Sequence, residues 1–267
     1  MFMKNKNNQS GKKVYIYDGS YQGLLTALYQ AFKQREVPVK IVAESNFRND
    51  LFYQREEIIT DSDQAHFFSQ QIKKNISAQA LNNIFHAYLS EIEKIELYIF
   101  RYLFTGFKAG KKIDEYLTKE YVRKVQDLAH KVKHESHRLK GLIRLQEAAD
   151  NKYFAAVEPD YKILILLAPH FKNRFPTMDW IIQDKRREEA IIFSAAEKEW
   201  LLIDLKKEFE PELSAKEKEV QDLWRAFFSA VSIQNRSNPR TQQQFMPKKY
   251  WKYLIERPGS SKRFKSK

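Results

Sequence analysis

The apolar positions change period along this chain, and the changes divide it into elements. In "VYIYD", Val14 and Ile16 alternate with Tyr15 and Tyr17, the period-two pattern of a half-buried strand. Gly19 breaks the pattern. Ser20 then stands as an N-cap for "YQGLLTALYQAFKQ", where Leu24, Leu25, Leu28 and Phe32 recur at helical spacing. The chain therefore opens as β-turn-α. Near Thr60, "TDSDQAHFF" reads as a capping-box-like start, with Asp63 three residues beyond the cap. Helical patterns follow, with breaks, to about Lys140.

From Gly141 the texture is different. "GLIRLQEA", "KYFAAVEP", "DWIIQD", "EAIIFSA" and "EWLLIDL" are short, apolar or alternating, and separated by turn residues, which predicts an antiparallel sheet. "YKILILLAPHFKNRF" fits either strand or helix by period alone and leans helical near Pro169. After the charged linker "KKEFEPELSAKE" comes an amphipathic helix bearing Leu223, Trp224, Phe227 and Phe228, then the turn "SNPR" and the segment "QFMPKKYWKYLIE". The predicted class is α+β: an N-terminal β-turn-α and helical region, followed by an antiparallel sheet with flanking helices. The expected organisation is a disordered basic leader over 1–13 and one large domain over 14–257, with a disordered basic tail over 258–267. Within the domain the helical part runs to about 140, the sheet-rich part over about 141–205 and the C-terminal helices over about 214–257.

Composition narrows the function classes. With 43% hydrophobic and 14% aromatic residues, the 267-residue chain can bury a real core. There is no cysteine, which removes thiol nucleophiles, disulfides, cysteine-held zinc and cysteine-ligated clusters. The apolar run "ILILLAPHF" is too short to span a bilayer and "MFMKNKNNQSGKK" has no signal-peptide core, so no membrane association and a cytoplasmic location are expected. A formal charge of +13 and a pI near 9.5 point to a polyanionic partner, nucleic acid first.

Candidate chemistry gathers in "HKVKHESHRLKGLIR". On a helix over 122–139, Val122, Val125, Ala129, Val132 and Leu139 share an apolar stripe, and His130, His134 and His137 fall opposite it. The outer two histidines stand about 10 Å apart along the axis, too far for one metal ion. No metal site and no cofactor-binding loop are read. Gly141 reads as the C′ residue closing the helix. A solvated helix end and a phosphate-contact surface built from His137, Arg138, Lys140 and Arg144 both fit. "YDGS" places Asp18 at a strand end beside a helix N-terminus. "PHFKNRF" sets His170 and Arg174 at i, i+4, and "DWIIQDKRREE" carries Asp184, Arg186 and Arg187 at a hairpin. The C-terminal block adds Arg236, Arg240, Lys248, Lys249 and Lys252, interleaved with Tyr250, Trp251 and Tyr253, the composition of a nucleic-acid-binding surface.

"YDGSYQGLLTALYQAF", "ESHRLKGLIRLQE", "KYFAAVEPDYKIL", "APHFKNRFPTMDWIIQDKRR" and "NPRTQQQFMPKKYWKYL", in this order, resemble a bacterial family of DNA repair or DNA metabolism proteins. The resemblance implies DNA as partner and a separate radical-SAM protein acting alongside; some members of that family are fused to a uracil-DNA glycosylase-like domain. Its most specific block falls on Glu135, His137, Arg138, Gly141 and Arg144. Two other functions stay open: a stand-alone glycosylase-like enzyme with Asp18, His137 or Asp184 as acid/base groups, and an RNA-binding adaptor, since phosphate attraction does not separate the two polymers.

Overall fold

A computed structural model describes residues 13–48, 53–206, 210–232 and 238–256. The leader up to residue 12, the tail from residue 257 and Arg236 lie outside the described residues. The chain divides into two compact units, residues 1–133 and 134–267.

In the first unit, strand β1 (Lys13–Tyr17) lies between β2 (Lys40–Ala43) and β3 (Gln54–Glu57), and both pairings are parallel. Val14, Tyr15, Ile16 and Tyr17 are all buried, so β1 is covered on both faces and not half-buried as its alternation implied. The tyrosine hydroxyls reach acceptors at the edge: Tyr15 Oη donates to Glu36 at 2.9 Å and Tyr17 Oη to Glu96 at 3.2 Å. Helix α1 (Tyr21–Gln34) begins at Ser20, whose hydroxyl accepts from Gly23 N as its position in the sequence predicted. Helices α2 (Ser62–Asn75), α3 (Ala78–Tyr88) and α4 (Ile95–Ala109) complete the layer. The cap of α2 is Asp61, not Thr60; its carboxylate accepts from Asp63 N and Gln64 N. Leu24, Leu28, Ile72, Ile84, Ile99 and Leu103 share one core with the buried face of the sheet.

Helix α5 (Glu120–Leu142) begins in the first unit and ends in the second. Val122, Val125, Ala129, Val132 and Leu139 are buried and His130, His134 and His137 exposed, as the helical stripe required. Gly141 is inside the helix instead of at C′. Arg144 supplies the end of the helix: Nη1 donates to the carbonyl of Gly141 at 2.8 Å, satisfying an orphan acceptor.

The second unit is built on a five-stranded sheet ordered β4-β5-β6-β7-β8, from β4 (Gln146–Glu147), β5 (Tyr153–Val157), β6 (Trp180–Asp184), β7 (Glu189–Ser194) and β8 (Glu199–Asp204). Four of the five predicted strands run close to full length; "GLIRLQEA" yields only the two residues of β4. All neighbours are antiparallel except β5 and β6, which are parallel. The cause is helix α6 (Leu164–Arg174), the ambiguous apolar segment, which serves as the crossover that a parallel pair needs. Trp180 stacks on Phe193 at 5.2 Å and meets Phe171 of α6 edge-on at 6.0 Å, filling the space between helix and sheet. Helices α7 (Ala215–Val231) and α8 (Pro239–Phe245) and a 3₁₀ segment over Lys248–Tyr253 follow.

Candidate functional site

In the first unit, Asp18 ends β1 and organises the turn into α1. Its Oδ1 accepts from the backbone N–H of Ser20 at 2.9 Å and from the Ser20 hydroxyl at 2.7 Å; Oδ2 accepts from Thr60 Oγ1 at 2.8 Å. Burial acts to raise its pKa, but the hydrogen bonds from Ser20 and Thr60 outweigh it and hold the carboxylate below its ordinary value. The group therefore clamps a turn, with both oxygens engaged. Gly23 permits this closeness, because a Cβ there would stand 2.2 Å from Asp18 Oδ1.

In the second unit the central polar residue is Glu135, buried on the inner side of α5. It stands one helical turn from both Val132 and Leu139, which puts it on the apolar stripe. Its carboxylate accepts from the backbone N–H groups of Asp160 at 2.9 Å and Tyr161 at 3.0 Å, from Lys249 Nζ at 2.8 Å and from the Tyr250 hydroxyl. Lys249 also pairs with Asp160. Tyr250 is itself buried, and burial together with the Glu135 bond pushes its hydroxyl pKa far up. The sequence placed both residues on a contact surface; in the structure they are internal ties between α5, the loop after β5 and the 3₁₀ segment.

Asp184 is likewise internal. It is fully buried, pairs with Arg187 Nη1 at 2.9 Å and accepts from the backbone N–H of Arg186 at 2.9 Å. Burial raises its pKa, and Arg187 and the N–H groups only partly oppose this. Arg186 and Arg187 donate to the carbonyl of Asp160, so this group fixes the β6–β7 hairpin against the neighbouring loop. Lys252 pairs with Glu158, and Arg144 with Glu256, whose side chain is little exposed, at 3.3 Å.

A different set of cations carries no carboxylate partner. Lys140 near the end of α5 and Arg174 at the end of α6 form no salt bridge among the described residues. Both stand close enough to His170 of α6 to act on its proton: burial, then the fields of Lys140 and Arg174, hold the His170 pKa below 6.5, with no acidic side chain opposing them. His170 Nε2 is buried without a hydrogen-bond partner. His137, Arg240 and Lys248 are exposed, and Arg138 makes only a long 3.4 Å bond to the carbonyl of Gln244. Asp18 lies in the first unit and His137 and Asp184 in the second; within the second unit no bond joins His137 to Asp184. Among the described residues no group of three or more His, Asp or Glu side chains stands where it could hold a metal ion, and no described helix is long and apolar enough to cross a membrane.

Fold and site together describe an α+β protein with an uncompensated basic cluster on its second unit. The chain belongs to the family defined by a domain of unknown function, DUF4130, whose model matches residues 93–256, from just before α4 to the last described residue. No curated protein and no solved structure matches it.

Proposed function

We propose that this protein binds DNA in a repair or modification pathway, holding or presenting it to a separate radical-SAM partner, and that the second unit makes the contact. The observation that supports the reading is the pair of cations Lys140 and Arg174, from two helices, which flank His170 and form no salt bridge among the described residues. Clustering like charge costs stability in the free protein, and a phosphate backbone relieves it. Arg240, Lys248 and His137 extend the exposed basic set. The partner and the pathway rest on the family resemblance alone. The glycosylase-like alternative draws less support, because Asp184 is saturated by Arg187 and two N–H groups and His137 has no acid/base partner within its unit.

Titrating labelled single-stranded DNA, duplex DNA and RNA of one sequence by fluorescence anisotropy over a salt series tests the reading. Affinity should fall steeply and linearly in log–log form, and DNA should bind at least as tightly as RNA. A flat salt response would sink it, and a strong preference for RNA would favour an RNA-binding adaptor instead.

A further inference from the structure

The second unit holds a cavity of about 350 Å³. Its floor is apolar and partly aromatic, formed by Leu139 and Leu142 of α5, Phe154 and Ala156 of β5, and Tyr250 and Leu254. Four cations, Arg144, Lys218, Arg225 and Lys252, stand around it, paired in turn with Glu256, Glu212, Asp222 and Glu158, of which Asp222 also lines the cavity. Small-molecule sites run from about 300 to 1,000 Å³, so this one suits a single compact ligand.

The wall facing α7 is not hydrocarbon. Gln221 Nε2 donates to Gln146 Oε1 at 3.3 Å and to Glu217 Oε1 at 2.8 Å. That leaves the Gln221 carbonyl oxygen and the Gln146 amide nitrogen with no bond among the described residues, both beside the cavity. One acceptor and one donor on neighbouring lining residues suit the polar edge of a nucleobase, which an alkyl chain cannot bond. The ring of such a base would lie against Phe154 and the leucines. The Lys218–Glu212 pair at the rim is long, 3.8 Å, with both side chains more than half exposed, so a phosphate can displace the glutamate at little cost.

We propose that this cavity receives one unstacked base of a single-stranded nucleic acid, its phosphate held at the Lys218 rim. The proposal rests on the nucleic-acid reading above and specifies the strand state it would take. Extruding one nucleotide from a strand is the general route by which proteins examine a single base, and single strands offer it at lowest cost.

The test uses the full chain, a fluorescein-labelled oligothymidylate, thymidine 5′-monophosphate and the variant Ala156→Phe, which adds a ring to the cavity lining from β5 and replaces none of the cations. The wild-type protein should bind the oligomer, and the monophosphate should give saturation-transfer signals from its base protons. In Ala156→Phe the oligomer should bind about tenfold more weakly or worse, the loss of one stacked base, with the salt slope unchanged. Equal binding by both proteins overturns the pocket and leaves the nucleic-acid reading standing. No binding by the wild type ends that reading itself. Occupation by a fatty acid such as laurate that the monophosphate does not displace would also overturn the proposal. Should Ala156→Phe fail to fold, the monophosphate must still slow hydrogen exchange at the amides of β5 in the wild type; unchanged exchange counts against the site.

Discussion

Replacing Glu135 with alanine should destabilise the second unit more than any other single change to a charged residue discussed above. The side chain is only 5% exposed and holds four donors. Its loss strands the N–H groups of Asp160 and Tyr161, each bonded to a charged acceptor, which is worth about 1.5–3 kcal/mol apiece. Lys249 is 36% exposed and can turn to water, so its share stays below about 1 kcal/mol. These terms sum to about 3–7 kcal/mol before the Tyr250 hydroxyl is counted, and the lower part of that span, about 3–5 kcal/mol, is the range found when one partner of a buried charged network is removed. Glu135→Gln keeps an acceptor oxygen and should cost about half as much, and Lys249→Ala less than about 1 kcal/mol. Because two compact units need not unfold together, the appropriate assay is native-state hydrogen exchange at the Asp160 and Tyr161 amides. Exchange there should accelerate by roughly two to three and a half decades in Glu135→Ala. A change below tenfold, or an equal effect from Lys249→Ala, would refute the placement of Glu135 as the tie between α5 and the C-terminal segment.

In an ordinary helix Gly→Ala gains about 0.5–1 kcal/mol. Gly23→Ala should instead lower the thermal midpoint, because its Cβ would meet Asp18 Oδ1 at 2.2 Å and Thr60 Oγ1 at 2.8 Å, and in an Asp18→Ala background the sign should turn towards stabilisation; additive effects would refute the close contact. Tyr21 buries a hydroxyl with no hydrogen-bond partner, so Tyr21→Phe should leave stability unchanged or raise it by up to about 1 kcal/mol in urea unfolding, and a loss would show a hidden partner. His170 has its folded pKa depressed below 6.5 by burial and by Lys140 and Arg174. The unfolded chain therefore takes up that proton first, and this contribution to stability is lost as pH falls from about 6.5 through the folded pKa, then stays level below it. A bound polyanion raises the same pKa, so DNA affinity should tighten as pH falls through this range, and His170→Gln should remove that dependence; an unchanged pH profile in the variant would place the coupled proton elsewhere.

Where the sequence was legible, local chemistry and tertiary context agreed. The cap at Ser20, the stripe of α5 and the strands β5 to β8 depend on neighbours in sequence, and all are read from spacing. Strand β3, "QREE", has no apolar residue and is defined only by pairing with β1, so no pattern could announce it. The parallel β5–β6 pair is a consequence of topology: once the segment with Pro169 folds as a helix between two strands, an antiparallel hairpin is no longer possible. Charge was harder to read than pattern. Lys249, Lys252, Arg144 and Arg187 resemble Lys140 and Arg174 in the sequence, but the first four meet carboxylates that lie 3 to 114 residues away. Glu135 carried a signal that was available, a charged residue one turn from apolar positions on both sides. Helix α7 shows the converse: Glu217 and Gln221 face inward to β4, while Leu223, Trp224 and Phe227 are exposed, because the β4 backbone and Gln146 offer polar partners.

The most direct measurement of the central claim is the salt slope of DNA binding in two sets of variants. Lys140→Ala with Arg174→Ala removes cations that have no carboxylate partner among the described residues, and Lys249→Ala with Lys252→Ala removes cations already paired with Glu135, Asp160 and Glu158. Each phosphate contact adds about 0.9 to the slope for duplex and about 0.7 for single strands, so the first pair should flatten it by roughly 1.4–1.8 and the second should leave it nearly unchanged. Flattening by the second pair and not the first would contradict the account and return the contact surface to the C-terminal lysines.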